Sequence, residues 1–251
     1  MNDRYQLITP ASHPDFCELV DSFAHVSWPE FMLHDPVAGA HWGDLFDCFP
    51  EYQFGLLDNE TGRTVAQGNS VPLHWDGDLD DLPERGWDWA LEQAAEDHQN
   101  GLEPHTQCAI QIVFHPDYRG QGLSARMVQA MREIGIARGL VHLIAPIRPN
   151  QKSLYPLTPI DRYITWKTAD GLPFDAWLRV HVRLGGRIIK PCHAAMTIGG
   201  TLTEWKSWTG MEFPESGGYV VPGALTPINV NMEADRAVYV EPNVWTVHEL
   251  R

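Results

Sequence analysis

Phe114-His115-Pro116-Asp117-Tyr118-Arg119-Gly120-Gln121-Gly122-Leu123-Ser124 is the stretch whose reading decides the fold of this chain. Before it, Gln107 to Phe114 places Cys108, Ile110, Ile112 and Phe114 on one face and reads as a strand. After it, Leu123 to Arg138 carries Leu123, Met127, Val128, Met131 and Ile134 along one stripe and reads as a helix, ended by Gly139. Leu140 to Ala145 reads as a second strand, stopped by Pro146. Strand, loop, helix and strand make a crossover unit, so the two strands should run parallel. The glycines allow a backbone turn that larger residues resist. Free N–H groups at the helix start, with the positive end of its dipole, suit a phosphate or pyrophosphate. Arg119 can add a charge-assisted bond to such an anion. A nucleotide P-loop would need Lys and then Ser or Thr after its last glycine, where this chain has Leu123-Ser124. The dinucleotide fingerprint, with three spaced glycines and an acid on the next strand, is also missing.

Outward from this unit the pattern stays mixed. Tyr5 to Ile8, Glu51 to Leu57 and Thr64 to Val71 are strand-like, the last two joined by the turn Asp58-Asn59-Glu60-Thr61-Gly62. Apolar residues recur at helical spacing from Pro14 toward Leu45, and again from Trp87 to Asp97. Asp76 to Glu84 is acidic and turn-rich. Phe174 to Leu184 reads as a helix closed by Gly185-Gly186, Arg187 to Pro191 as a strand, and the tail from Gly218 as two or three strands. One mixed α/β domain over 1–251 is the economical reading, with an irregular insertion near 153–172 and an extended C-terminal strand region at 197–251.

Composition narrows the function. A net charge of −15 argues against nucleic acid as a partner, since a binder needs a basic face. No apolar run approaches the ~20 residues of a membrane helix, and Met1-Asn2-Asp3-Arg4 opens no secretion pattern. Cys17, Cys48, Cys108 and Cys192 lie far apart, without metal or redox spacing, so reduced thiols in a cytoplasmic protein are expected. His34 and His41 also lack ligand spacing, and no metal is expected.

Arg119-Gly120-Gln121-Gly122-Leu123-Ser124, preceded by His115-Pro116-Asp117-Tyr118, resembles the acyl-CoA pyrophosphate loop of the Gcn5-related N-acetyltransferases. That pattern is Gln or Arg, two residues, Gly, one residue, then Gly or Ala. Arg119 and Gly122 match it, and Ser124 departs by one small side chain. The resemblance implies a strongly twisted, mixed central sheet flanked by helices, and acetyl-CoA or another acyl-CoA as co-substrate. It implies that backbone groups of Gln121, Gly122, Leu123 and Ser124 cradle the pyrophosphate, with Arg119 and Gly120 shaping the turn. Ile112, Val113 and Phe114 would run beside the pantetheine arm, and Asn150 would face it. The strand ending near Phe114 would splay from the next near Ala145, with the thioester in the gap, where an N–H can polarise its carbonyl.

The resemblance further implies a general acid for the departing thiolate. His181 stands where the family usually carries a tyrosine, and imidazole can serve near neutral pH. Tyr155 and Tyr163, on the insertion, are alternatives. The acceptor pocket would come from the segment Val26 to Trp42, with Trp28, Phe31 and Trp42 as walls. Glu30, His34, Asp35 or His41 would bind or deprotonate an amine. The strand Cys108 to Phe114 offers no carboxylate as base. The insertion is expected to fold over the acceptor cleft, or else to pack on the helix behind it. The implied activity is acyl transfer to a small-molecule amine. A longer acyl group, a hydroxyl acceptor or a non-catalytic acyl-CoA sensor are the alternatives, and a homodimer is left open.

Overall fold

The computed structural model describes residues 4–20, 23 and 27–251. In chain order the elements are β1 (Tyr5–Ile8), α1 (Phe16–Val20), α2 (Pro36–His41), α3 (Asp44–Asp47), β2 (Gln53–Asp58) and β3 (Arg63–Leu73). Then come α4 (Gly86–Gln99), β4 (Thr106–Phe114), α5 (Leu123–Ala137), β5 (His142–Ile147), α6 (Ile160–Tyr163) and α7 (Ala176–Arg183). The chain closes with β6 (Arg187–Gly200), α8 (Leu202–Thr209), β7 (Gly217–Tyr219), β8 (Ile228–Asn231) and β9 (Arg236–Glu249). The strands form one nine-stranded sheet in the order β1-β2-β3-β4-β5-β9-β8-β7, with β6 on the other side of β9. Among the described residues only β4 and β5 pair in parallel, as the crossover through α5 requires.

Alternation along the strands sorts the helices onto two faces. On β4, Gln107 points to α5, where a side chain at Gly135 would strike its amide. Cys108, next along, points the other way, beside Cys192, whose thiol donates to the Glu84 carbonyl just ahead of α4. One face therefore carries α5 and α7, and the other α4 with α2. On β9 the same parity sends Trp245 toward Trp89 of α4, and His248 toward His181 of α7.

The parallel ladder is short. It runs from Thr106–His142 to Cys108–Ile144 and stops, although β4 continues to Phe114 and β5 to Ile147. The strands splay from Ala109 and Ala145 onward, leaving a slot through the sheet. A bulge sits at its start: Ser70 opposes Ala109 and Asn69 opposes Gln111, so Ile110 has no partner on β3. The bulge flips the alternation. Gln111 and Val113 now face the α4 side, Val113 beside Phe16, Val20 and Phe23.

Three departures from the sequence reading have physical causes. β5 runs through Pro146 to Ile147, because Pro146 lies past the end of the β4 ladder and its missing N–H costs no bond there. β6 likewise runs through Pro191 to Gly200, with register shifts against β9 between Ile188 and Lys190 and between Cys192 and Met196. The 197–251 region is not all strand: Leu202–Thr209 is a helix opened by a capping box, in which Thr201 accepts from Glu204 N and Glu204 accepts from Thr201 N. The insertion packs on β5, α7 and β9 through Ile160 and Tyr163, with Tyr155, Trp166 and Phe174 stacked around them. It covers the α7 face and shares no cluster with Trp28 to Trp42.

Candidate active site

The loop after β4 is held from below and open above. Tyr118 is buried and its hydroxyl donates to Asp58 at 3.2 Å, at the β2–β3 turn. Arg4 holds the Asp58 carboxyl well below the usual carboxylate range by a two-pronged hydrogen bond, at 2.9 and 3.1 Å. Tyr5 donates to Gln121 at 2.8 Å. Gly120 and Gly122 both sit in the left-handed region, at φ 78° and 77°, and a Cβ at either would meet only open space. Gly122 caps α5 without a side chain, and no acid stands in the first turn. The N–H groups of the first turn thus have no intrahelical acceptor and no local anion to satisfy them. A pyrophosphate fits such a cradle, with exposed Arg119 beside it. Leu123 itself is buried, so its contribution is its backbone.

On β4, the Ile112 and Phe114 side chains pack against the main core and Val113 against the α1 cluster, leaving their main chain along the slot. Asn150 is exposed, three residues past the end of β5. The indole of Trp87, at the start of α4, donates to the carbonyl of Ile110 at 2.8 Å, which fixes the bulge. No sequence signal marked Trp87 for this role.

The three candidate acids differ sharply in placement. His181 is 3 % exposed and shares a 2.9 Å hydrogen bond with His248. Burial, with His248 next, pushes its pKa down to about 3, so it carries no proton to give near neutral pH. In this structure the ring is sealed from solvent against His248. Tyr163 donates to Asp175 at 2.9 Å, and burial raises its pKa far above the ordinary value. Asp175 in turn caps α7 through the N–H groups of Trp177 and Leu178, so Tyr163 belongs to a structural relay. Tyr155, half-buried against Trp166 and Phe174, keeps its hydroxyl uncommitted among the described residues.

The acceptor segment divides as well. Val26 lies outside the described residues. Trp28 donates to Gln111 at 3.1 Å, and the guanidinium of Arg148 lies 5.7 Å from its ring centre, so Trp28 does stand at the slot. Gln111 continues a buried amide chain through Asn69 to Gln53. Phe31 does not wall a pocket: it is 1 % exposed and packs between Trp205 and Tyr239, in the core. Glu30 and His34 pair on the surface at 3.2 Å, with His34 stacked on Trp208. Trp42 is partly buried against the core, and His41 bonds Asp44 at 2.9 Å.

Four polar residues the sequence reading did not gather converge near the slot on the α4 face. Arg148 binds Glu241 at 2.8 Å, and Tyr239 donates to the same carboxylate at 2.8 Å. Asn243, two residues along β9, donates to the Pro146 carbonyl at 3.2 Å. Only strand parity combined with the observed β9 position brings these residues together.

No family model matches the chain. It is, however, 33 % identical over 275 residues to the arginine N-acetyltransferase avaD of Aspergillus versicolor, covering 98 % of this chain and 94 % of that one. The chain belongs to the Gcn5-related N-acetyltransferase family. It is an enzyme, an acyl-CoA-dependent N-acetyltransferase. Among solved structures it is similar in fold to the loading GNATL domain of CurA from Lyngbya majuscula, with a TM-score of 0.66 at 16 % identity over 99 % of this chain and 98 % of that one. It is also similar in fold to the GphF GNAT-like decarboxylase in complex with isobutyryl-CoA, with a TM-score of 0.57 at 13 % identity over 99 % and 100 % of the chains. Both cover the acetyltransferase from end to end, β7 to β9 included. Among the described residues no group of three or more His, Cys, Asp or Glu could hold a metal ion, and no helix is long and apolar enough to cross a membrane.

Proposed function

We propose that this N-acetyltransferase takes acetyl-CoA from the α5–α7 face of the slot and a small cationic amine from the α4 face. The single observation that carries this reading is the end of the β4–β5 ladder at Cys108–Ile144, directly upstream of a loop with two left-handed glycines at a helix start. A pyrophosphate on α5 would lay the pantetheine arm along the free edge of Ile112 to Phe114. The thioester would then lie in the slot near the bulge, open to attack from the opposite face. The acceptor nitrogen forms a bond to the acetyl carbon, the carbon–sulfur bond breaks, and the thiolate takes a proton. Tyr155 is the residue we assign to give that proton, because it lies on the cofactor face with its hydroxyl free. The amine arrives neutral or loses its extra proton to water; as the amide forms, the nitrogen gives up one N–H proton to water, and water returns one to Tyr155. Rigid placement of thioester and amine supplies the remaining rate.

Arginine, named for the Aspergillus relative, is the first acceptor to try. The test incubates the protein with acetyl-CoA and each of arginine, agmatine, ornithine, citrulline and a hydroxyl-bearing control. Free thiol and acetylated product are measured together. Transfer to amines and none to the hydroxyl supports the reading; tight acetyl-CoA binding with no transfer to any of them sinks it.

A further inference from the structure

The α4 face of the slot holds an unusual concentration of buried oxygens that accept and cannot donate when ionised. Asp35, Asp88, Glu241 and Asn243 are 2 %, 3 %, 0 % and 1 % exposed. Each has one side-chain oxygen with no hydrogen-bond partner among the described residues: Asp35 Oδ2, Asp88 Oδ1, Glu241 Oε1 and Asn243 Oδ1. Their other oxygens or nitrogen are committed. Asp35 Oδ1 caps α2 through Ala38 N, Asp88 Oδ2 accepts from Thr197 N, and Glu241 Oε2 takes Arg148. Leaving a buried acceptor unmet is costly, and four in one neighbourhood ask for a shared donor.

The three carboxyls are neighbours, and Asn243 lies two residues past Glu241 on the same face of β9. Asp88 binds the backbone of Thr197, and the residue before it, Met196, stands opposite Glu241 across the β6–β9 ladder. Asp88 feels the charge of Asp35, and Asp35 feels those of Glu241 and Glu92. Burial first, then Asp35, pushes Asp88 up to about 8, with Arg85 opposing. Asp35 is raised chiefly by burial. Two of the three carboxyls have no cation of their own, since Arg148 serves Glu241 and Arg85 is paired with Glu92 at 2.6 Å. Asp88 also lines a cavity of about 460 Å³, with Val37, His41, Arg85, Glu92 and Thr197 around it. One residue back along α4 is Trp87, whose indole reaches the Ile110 carbonyl in the slot.

We propose that Asp35, Asp88 and Glu241, with Asn243, form the recognition site for a guanidinium group on the acceptor. The inference rests on the acetyl-transfer reading above and specifies what that face of the slot selects. A guanidinium offers five N–H donors in a plane and no acceptor, which complements a set of acceptors on three elements. An ammonium offers three donors in a compact cone and satisfies fewer of them. A neutral urea of the same shape brings a carbonyl oxygen that faces these carboxylates unfavourably.

The experiment compares arginine with citrulline, which keeps the α-amine and the length but replaces guanidinium by urea. In the wild-type protein kcat/KM for arginine should exceed that for citrulline at least tenfold. Asp88→Asn and, separately, Asp35→Asn should reduce that ratio at least fivefold, through KM for arginine, while KM for acetyl-CoA stays within twofold. Calorimetric titration of arginine into the acetyl-CoA-free protein should lose affinity in parallel, and circular dichroism checks that each variant is folded. If both folded variants keep the wild-type ratio, the carboxylates do not read the guanidinium and the proposal fails while acetyl transfer stands. If the wild-type protein acetylates ornithine and citrulline as well as arginine, the proposal also fails. Absence of transfer to every amine, with acetyl-CoA bound, overturns the underlying reading as well.

Discussion

The two faces of the slot are made of different material. On the α5 face the proposed anion cradle is backbone and contiguous in sequence, spanning Arg119 to Ser124. On the α4 face the polar groups are side chains, almost fully buried, and drawn from residues 35, 88, 241 and 243. Backbone N–H groups at a helix start recognise phosphate whatever side chains surround them, so the cofactor side needs only glycines and a clear approach. Recognising one acceptor among many needs side chains of the right charge at fixed positions, and such side chains come from wherever the fold brings strands together.

Replacing Tyr155 tests whether the cofactor face also holds the proton donor, and its effect should be largest. Tyr155→Phe removes only a hydroxyl with no partner among the described residues, so folding should be untouched. Turnover should fall on the order of 10²-fold with acetyl-CoA affinity unchanged. Turnover within threefold of the parent would move the acid elsewhere and weaken the contrast between the faces.

Next is a substitution whose effects on stability and binding have opposite signs. Ser124→Glu puts a carboxylate in the first turn of α5, where the dipole favours it by about 0.3–1 kcal/mol. The same charge repels a pyrophosphate. Thermal stability should hold or rise, while acetyl-CoA affinity falls at least tenfold, about 1.4 kcal/mol by calorimetry. Equal affinity in both proteins would detach the loop from the cofactor.

The smallest effect concerns the acceptor face without ligand. Asp88 titrates at about 8 in the folded protein, above the 3.8 of an unperturbed aspartate, so the native state binds more protons than the unfolded one between those values. Its contribution to stability is therefore lost as pH rises through that window. Asp88→Asn should flatten this fall and gain on the order of 1 kcal/mol at pH 8 in urea unfolding. A variant less stable than the parent at pH 8 would mean that what the carboxylate gains from Thr197 N outweighs the cost of burying its charge. Stability recovered at the cost of acceptor selectivity would be the usual trade at a binding site.

The sequence was legible where function rides on local backbone. The strand ending at Phe114, the two glycines and the stripe from Leu123 to Ile134 are contiguous, and strand, turn and helix lie where they were read. It says less about where a side chain ends up, because a place in a motif does not fix what distant segments pack around it. His181 stands at the expected position along the chain, yet its ring faces His248 from a strand more than sixty residues on, and burial there leaves it neutral. Phe31 was read as a pocket wall because aromatics cluster around it, but Trp205 and Tyr239 come from distant segments and enclose it. Asp88 and Glu241 gave no signal because nothing local distinguishes them from surface acids. The helix at 202–209 did have a readable mark in Thr201 and Glu204, the capping pair, which the strand-rich tail obscured.

β9 runs beside β5 at the base of the slot and shows a different chemistry to each side of the sheet. Glu241, Asn243 and Trp245 look toward α4; Val244 and His248 look toward α7. Point substitutions at alternate positions can therefore change acceptor preference while the cofactor side is left as it was, so specificity can drift among descendants of this chain without loss of catalysis. A one-residue insertion or deletion in β9 has no such freedom. It exchanges the two sets at a stroke, turning carboxylates toward α7 and apolar groups toward the acceptor, so within this strand evolution can edit letters but not spacing.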